Sequence, residues 1–137
     1  LRAPFFLSQA FIPAMRAKGW GRIVNFASLQ TTRAFPGGMA YGASKGAVTQ
    51  MTLPMARDLG RHGIRANAVS PGVIYNDGIE DAWPEGVKRW MDAVPLGRMG
   101  SDQDVADAVL FLASPASRFI TGANLAVDGG ITAGPAF

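Results

Sequence analysis

The feature that most restricts how this chain can fold is an alternation of short apolar runs with longer stretches of helical spacing. The runs are Ile23-Val24-Asn25-Phe26-Ala27, Ile64 to Val69, and Leu125-Ala126-Val127. Runs that are apolar on both sides mark strands of a parallel sheet, which needs neighbours and helices over both faces. Phe5, Phe6, Gln9, Ala10, Ile12, Pro13 and Met15 predict an amphipathic helix over about residues 3 to 17, opening without a visible cap and stopped by Gly19. Tyr41 to Leu59 predicts a second helix ending at Gly60, and Pro54 inside it predicts a kink unless packing compensates, because proline removes one backbone donor. Ser101 and Asp104 form a capping box that launches a third helix through Val105, Ala108, Val109, Phe111 and Leu112. Strand, helix, strand, helix, strand is the order of an α/β layered fold. Three strands make a thin sheet, which suggests part of a larger one.

Composition narrows the function classes. Thirteen Lys and Arg against ten Asp and Glu leave a net charge of +3, and the basic residues never cluster into the stripe that nucleic-acid binding requires. With no Cys there is neither a disulfide framework nor a thiolate metal site, which fits a cytoplasmic protein. No apolar run reaches the roughly 18 residues of a membrane span. His62, the single histidine, has no second ligand candidate beside it, and Glu80, Asp81 and Glu85 lack ligand spacing, so no metal site is expected.

The chemistry concentrates around the second helix. In open α/β sheets reacting groups gather beyond the carboxyl ends of the strands. Ser28 follows the first strand, and Ser70-Pro71-Gly72 halts the second. Tyr41 and Lys45 are four residues apart and share one helix face. An ammonium beside a phenol favours the phenolate, the form that exchanges a proton with an alcohol or ketone. A serine hydroxyl next to it can donate to a carbonyl oxygen as charge develops. Tyr-x-x-x-Lys alone is a weak signal; its surroundings strengthen it.

Those surroundings are GRIVNFAS with Ser28, YGASKGAV with Tyr41 and Lys45, GIRANAVSPG, and PLGRMG followed by DVADAVLFLAS and FITGANLAVDGG. Together they resemble the short-chain dehydrogenase/reductase family over about residues 1 to 131. The resemblance implies the C-terminal half of a Rossmann-like, doubly wound parallel sheet. It implies an NAD- or NADP-dependent oxidoreductase interconverting a secondary alcohol and a ketone, a small-molecule substrate, and a homo-oligomer. Tyr41 matches the family's acid/base, Lys45 the residue that tunes it and holds the nicotinamide ribose, and Ser28 the residue that orients the substrate oxygen. Asn25 matches an architectural strand asparagine. Pro71, Gly72 and Ile74 match the turn along the nicotinamide, and Asn76 stands where the family commonly has threonine.

Two departures accompany the resemblance. The family's glycine-rich phosphate loop has no counterpart among these residues, since Gly37-Gly38 and Gly129-Gly130 occupy other positions. The family's helix asparagine would fall immediately before Leu1. A second reading is therefore a non-catalytic fragment or partial homologue that keeps the scaffold and the oligomer surfaces. Residues 76 to 95 match the family's substrate lid, and Trp83, Trp90 and Met91 either line that lid or pack an irregular insertion onto the core. A two-fold dimer is expected to bury Val48, Met51 and Met55 of the Tyr41 helix.

Overall fold

The computed structural model describes residues 1–33 and 35–134 of the chain; Ala34 and the end of the tail ITAGPAF, residues 135–137, lie outside the described residues. The elements, in chain order, are α1 (Arg2–Lys18), β1 (Gly21–Phe26), α2 (Met39–Leu59), β2 (Ile64–Pro71), α3 (Ile79–Ala82), α4 (Pro84–Ala93), α5 (Asp102–Ala113) and β3 (Asn124–Val127), with short 3-10 turns between several of them. The three strands form one parallel sheet in the order β1-β2-β3.

β2 is the central strand, and every residue from Ile64 to Ser70 is buried. Successive side chains of a strand point to opposite faces. Ala68 packs with Ala27 and Val48, so its face is covered by α2. On the other face Arg65 and Asn67 hydrogen-bond to the carbonyl of Ile120, and Arg65 also reaches that of Ser114, both beyond α5. Asn25, paired in register with Ala68, donates its amide to Thr52 Oγ1 at 2.9 Å and thereby pins β1 to α2. The outer strands depart from expectation: β1 and β3 are only partly buried, because β1 has a strand on one side alone and β3 closes the other edge.

The start of the sheet depends on a close backbone approach. Gly63, in the left-handed region at φ +71°, sits so near Gly19 that a Cβ would collide with the Gly19 carbonyl oxygen. α1 ends as its sequence requires, with Gly19 in the left-handed conformation. α5 opens on the expected capping box: Ser101 Oγ accepts from the Asp104 amide, and the Asp104 carboxylate accepts from the Ser101 amide. Arg98 donates to both carboxylate oxygens of Asp104, at 2.7 and 2.8 Å, and with Ser101 holds that carboxyl well below the usual range.

Two expectations need correction. Residues 76 to 95 are not an irregular insertion: they hold two helices, α3 and α4. Pro84 presets the backbone at the first position of α4, and Gly86, Val87 and Trp90 give that helix a buried face despite its polar composition. Val48 is not available to a dimer interface, because it is 2% exposed in the core. The α2 helix continues past Pro54 without a break. Among the described residues no helix is long and apolar enough to cross a membrane.

Gly63→Ala is expected to lower stability by about 1–3 kcal/mol or more, since it adds both a strained backbone and a backbone clash. Urea denaturation checks this; an unchanged midpoint would contradict the close approach.

Candidate active site

The site lies where β1 ends and α2 begins. Past Phe26 the chain stays extended through Ser28 (φ −166°) and then turns into a short 3-10 segment, Leu29–Thr31. The turn uses the serine itself: the Gln30 amide donates to Ser28 Oγ at 3.2 Å. Ser28 is otherwise buried, at 7% exposed, and its hydroxyl proton has no acceptor among the described residues. Tyr41 stands in the first turn of α2 and Lys45 one turn further on. The Lys45 ammonium donates to the carbonyl of Phe26 at 2.8 Å and lies 5.8 Å from the centre of the Tyr41 ring, within cation–π range. That one hydrogen bond ties the helix to the carboxyl end of β1.

Ser28 and Tyr41 line a single open cleft of about 390 Å³, together with Gln30, Phe35, Gly72 and Trp83. Lys45 adjoins it through Tyr41. Gly72 is the turn glycine from the far side of the sheet, and its amide donates to Val127 at 2.9 Å. A Cβ there would lie 2.5 Å from Trp90 and 2.9 Å from the Asp128 backbone, so only glycine fits. Pro71, immediately before it, is the last residue of β2 and pairs with Val127.

Ile74 and Asn76 lie outside the lining of this cleft. Ile74 forms a parallel bridge with Gly100, fixed by the Gly100 amide to Val73 and the Tyr75 amide to Gly100. Asn76 is exposed in the turn before α3, where its carbonyl accepts from the Ile79 amide.

Of the two readings of Trp83, lid or packing, the structure puts it on the cleft wall. Other residues around the cleft were not foreseen: Gln30 and Phe35, from the segment between Ser28 and Tyr41, also line it. Arg33, on the loop between Ser28 and Tyr41, donates to the carbonyls of Thr132 and Gly134 at 3.1 and 3.3 Å and clasps the C-terminal turn to that loop. The turn is organised by Asp128, whose carboxylate accepts from the Gly130 amide, the Thr132 amide and, at 2.6 Å, the Thr132 hydroxyl. An Asp followed by two glycines and a Thr four residues on is a local turn signature that the sequence carries. Burial works to raise the Asp128 carboxyl, but the Thr132 hydroxyl and the two amides outweigh it and leave it below its ordinary value.

The family model described as enoyl-(acyl carrier protein) reductase matches residues 1–132. One relative, 2-(S)-hydroxypropyl-CoM dehydrogenase 3 of Xanthobacter autotrophicus, is 41% identical over 135 residues, which cover 94% of this chain and 53% of that protein. Among solved structures, a gluconate 5-dehydrogenase from Burkholderia cenocepacia in complex with NADP and tartrate superposes with a TM-score of 0.92 at 36% identity, over 98% of this chain and 54% of that one. A 7α-hydroxysteroid dehydrogenase complexed with NADH and 7-oxo glycochenodeoxycholic acid gives 0.89 at 35% identity, over 95% and 51%. The chain belongs to the short-chain dehydrogenase/reductase family. It spans about half the length of the relatives it matches.

The lowered Asp128 carboxyl has a consequence for stability. Its value in the folded protein lies below that in the unfolded chain, about 3.9, so it stabilises the fold above that pH and the contribution is lost as the pH falls through the folded value. Asp128→Asn is therefore expected to be less stable than the wild type near neutrality, with the gap closing in acid below about pH 4. Thermal melts of both proteins between pH 3 and 7 check this; a constant gap would contradict it.

Proposed function

We propose that this chain carries the catalytic half of a nicotinamide-dependent oxidoreductase that interconverts a secondary alcohol and a ketone. The observation that carries the reading is that Ser28 and Tyr41 line one cleft, with the Lys45 ammonium hydrogen-bonded to Phe26 beside the Tyr41 ring. The similar dehydrogenases complexed with NADP and with NADH support a dinucleotide of this kind.

The residues present fit the nicotinamide end of NAD or NADP by the chemistry of their donors. Lys45 spends one N–H on Phe26 and keeps two for ribose hydroxyls. Tyr41 is half exposed at the cleft wall, and Pro71, Gly72, Ile74 and Asn76 form the turn that would run along the nicotinamide. When bound, NAD or NADP supplies the acceptor or donor of hydride at the substrate carbon. Tyr41 Oη takes the proton from the alcohol oxygen in oxidation and returns it in reduction. Ser28, whose oxygen accepts from the Gln30 amide and whose proton is free, donates that proton to the same oxygen and fixes its position. α3 and α4 serve as the lid of the cleft, and Trp83, at their junction, lines it.

The groove between α1 and α2, lined by Phe5, Ile12, Met51 and Met55, is the surface on which a homo-oligomer would form in the cytoplasm; Val48 takes no part in it.

In the full-length enzyme, Tyr41→Phe is expected to lower kcat/KM by about 10²–10⁴ and Ser28→Ala by about 10²–10³, measured by absorbance of the reduced nicotinamide. Variants within threefold of wild type would remove these residues from the chemistry. Calorimetry on the 137-residue chain alone is expected to show weak or undetectable NAD and NADP binding; tight stoichiometric binding would show that the phosphate loop is dispensable.

A further inference from the structure

Besides Tyr41, the aromatic side chains that line the cleft are Phe35 and Trp83. Trp83 is braced within the lid, where a Cβ on Gly86 would run into its indole. Phe35 belongs to the loop between the 3-10 segment Leu29–Thr31 and α2, which lies outside the sheet. The backbone bonds of that loop are local: the amides of Thr32 and Arg33 donate to the carbonyl of Leu29, and the amide of Gly38 to that of Phe35. The Thr32 hydroxyl likewise donates to Leu29.

Among the described residues, the hydrogen bonds that leave residues 32–37 for a distant part of the fold both come from Arg33. Its Nη2 donates to the carbonyls of Thr132 and Gly134, 99 and 101 residues further along the chain. A guanidinium on a carbonyl is a charge-assisted bond, among the stronger ties open to a loop. The accepting turn is itself well held. Asp128 binds its Gly130 and Thr132 amides and the Thr132 hydroxyl, and the Ala133 and Gly134 amides close back onto Gly130 and Ile131. Ile131 from this turn and Phe35 from the loop pack against the same buried cluster of Leu29, Trp90 and Val94. The reacting groups are held by other bonds, Ser28 by the Gln30 amide and Lys45 by Phe26.

Resting on the oxidoreductase reading above, we propose that Arg33 is a positioning residue for the substrate. By fastening its loop to the turn after β3, it sets where Phe35 and Pro36 stand and so how large a group the cleft accepts beside the reacting carbonyl. Arg33 lines none of the cleft and acts through Phe35. The turn organised by Asp128 thereby shapes a substrate site that it does not touch. Loss of the clasp weakens binding of ketones bulky enough to lean on Phe35 and leaves proton transfer at Tyr41 unchanged.

The test compares two ketone probes in the full-length protein with reduced nicotinamide. Arg33→Met, which keeps an apolar stem but no donor, is expected to raise KM for acetophenone about tenfold with kcat changed by less than about twofold, the mark of lost binding rather than lost chemistry. For acetone, which offers only methyl groups to the wall, both constants are expected to stay within about twofold. Arg33→Lys, whose ammonium can still donate to the two carbonyls, is expected to recover most of the acetophenone KM. Asp128→Ala is expected to raise that KM as well, and the double variant to be no worse than Arg33→Met, because both undo one device. An unchanged acetophenone KM, or a kcat that falls equally with both ketones, would overturn the assignment of Arg33. Calorimetric titration of acetophenone into the NADP-loaded protein separates the two claims. Arg33-dependent binding without turnover leaves the clasp standing and sinks the oxidoreductase reading, turnover without any dependence on Arg33 does the reverse, and a wild type that neither binds nor reduces acetophenone overturns both.

Discussion

β2 is buried along its length and bonded on both sides, and every functional group of this chain is positioned with respect to it. Because β1 and β3 run parallel to it, three carboxyl ends emerge at one edge. Ser28 follows the first, Pro71 and Gly72 the second, and Asp128 the third. The geometry follows from a simple requirement, that a strand without a polar face must be covered on both. Ala68 takes the cover of α2 through Val48, and Arg65 and Asn67 tie the other face to the segment after α5.

On that frame the Lys45–Phe26 hydrogen bond fixes where α2 begins. The carbonyl of Phe26 is the last group of β1, and accepting from Lys45 brings the start of α2 against it. The ammonium that holds the helix in place is thereby also held near the Tyr41 ring. Structural and electrostatic roles coincide in one side chain. Lys45→Arg would keep the charge, but its broader fork could not present the same point charge at the same place.

How much of this could be read from the sequence depended on how local each cause was. β2 was legible because its apolar run is continuous, and Tyr41 with Lys45 because four-residue spacing on a helix is a local fact. The box at Ser101 and Asp104 is equally local. Val48 was misjudged because α2 carries apolar residues on more than one side, so spacing alone did not separate the core face, Val48 and Thr52, from the half-exposed one, Met51 and Met55. Helix α4 was missed because its buried positions, Gly86, Val87 and Trp90, are few and one of them is glycine. The cleft wall is the least legible part: Phe35, Trp83 and Ile131 meet only after the sheet has formed. Arg33 acts through backbone carbonyls, which no pattern of side chains announces, whereas the Asp128 turn carries its own local signature in Gly129, Gly130 and Thr132.

The central claim is that Ser28 and Tyr41 address one substrate oxygen while Lys45 stays on Phe26. A crystal structure of the full-length enzyme with NADP and a bound secondary alcohol tests it most directly. Both Ser28 Oγ and Tyr41 Oη are expected within about 2.6–3.2 Å of the alcohol oxygen, with the Lys45–Phe26 hydrogen bond intact. An alcohol oxygen bound elsewhere in the cleft, with Tyr41 turned to solvent, would contradict the account.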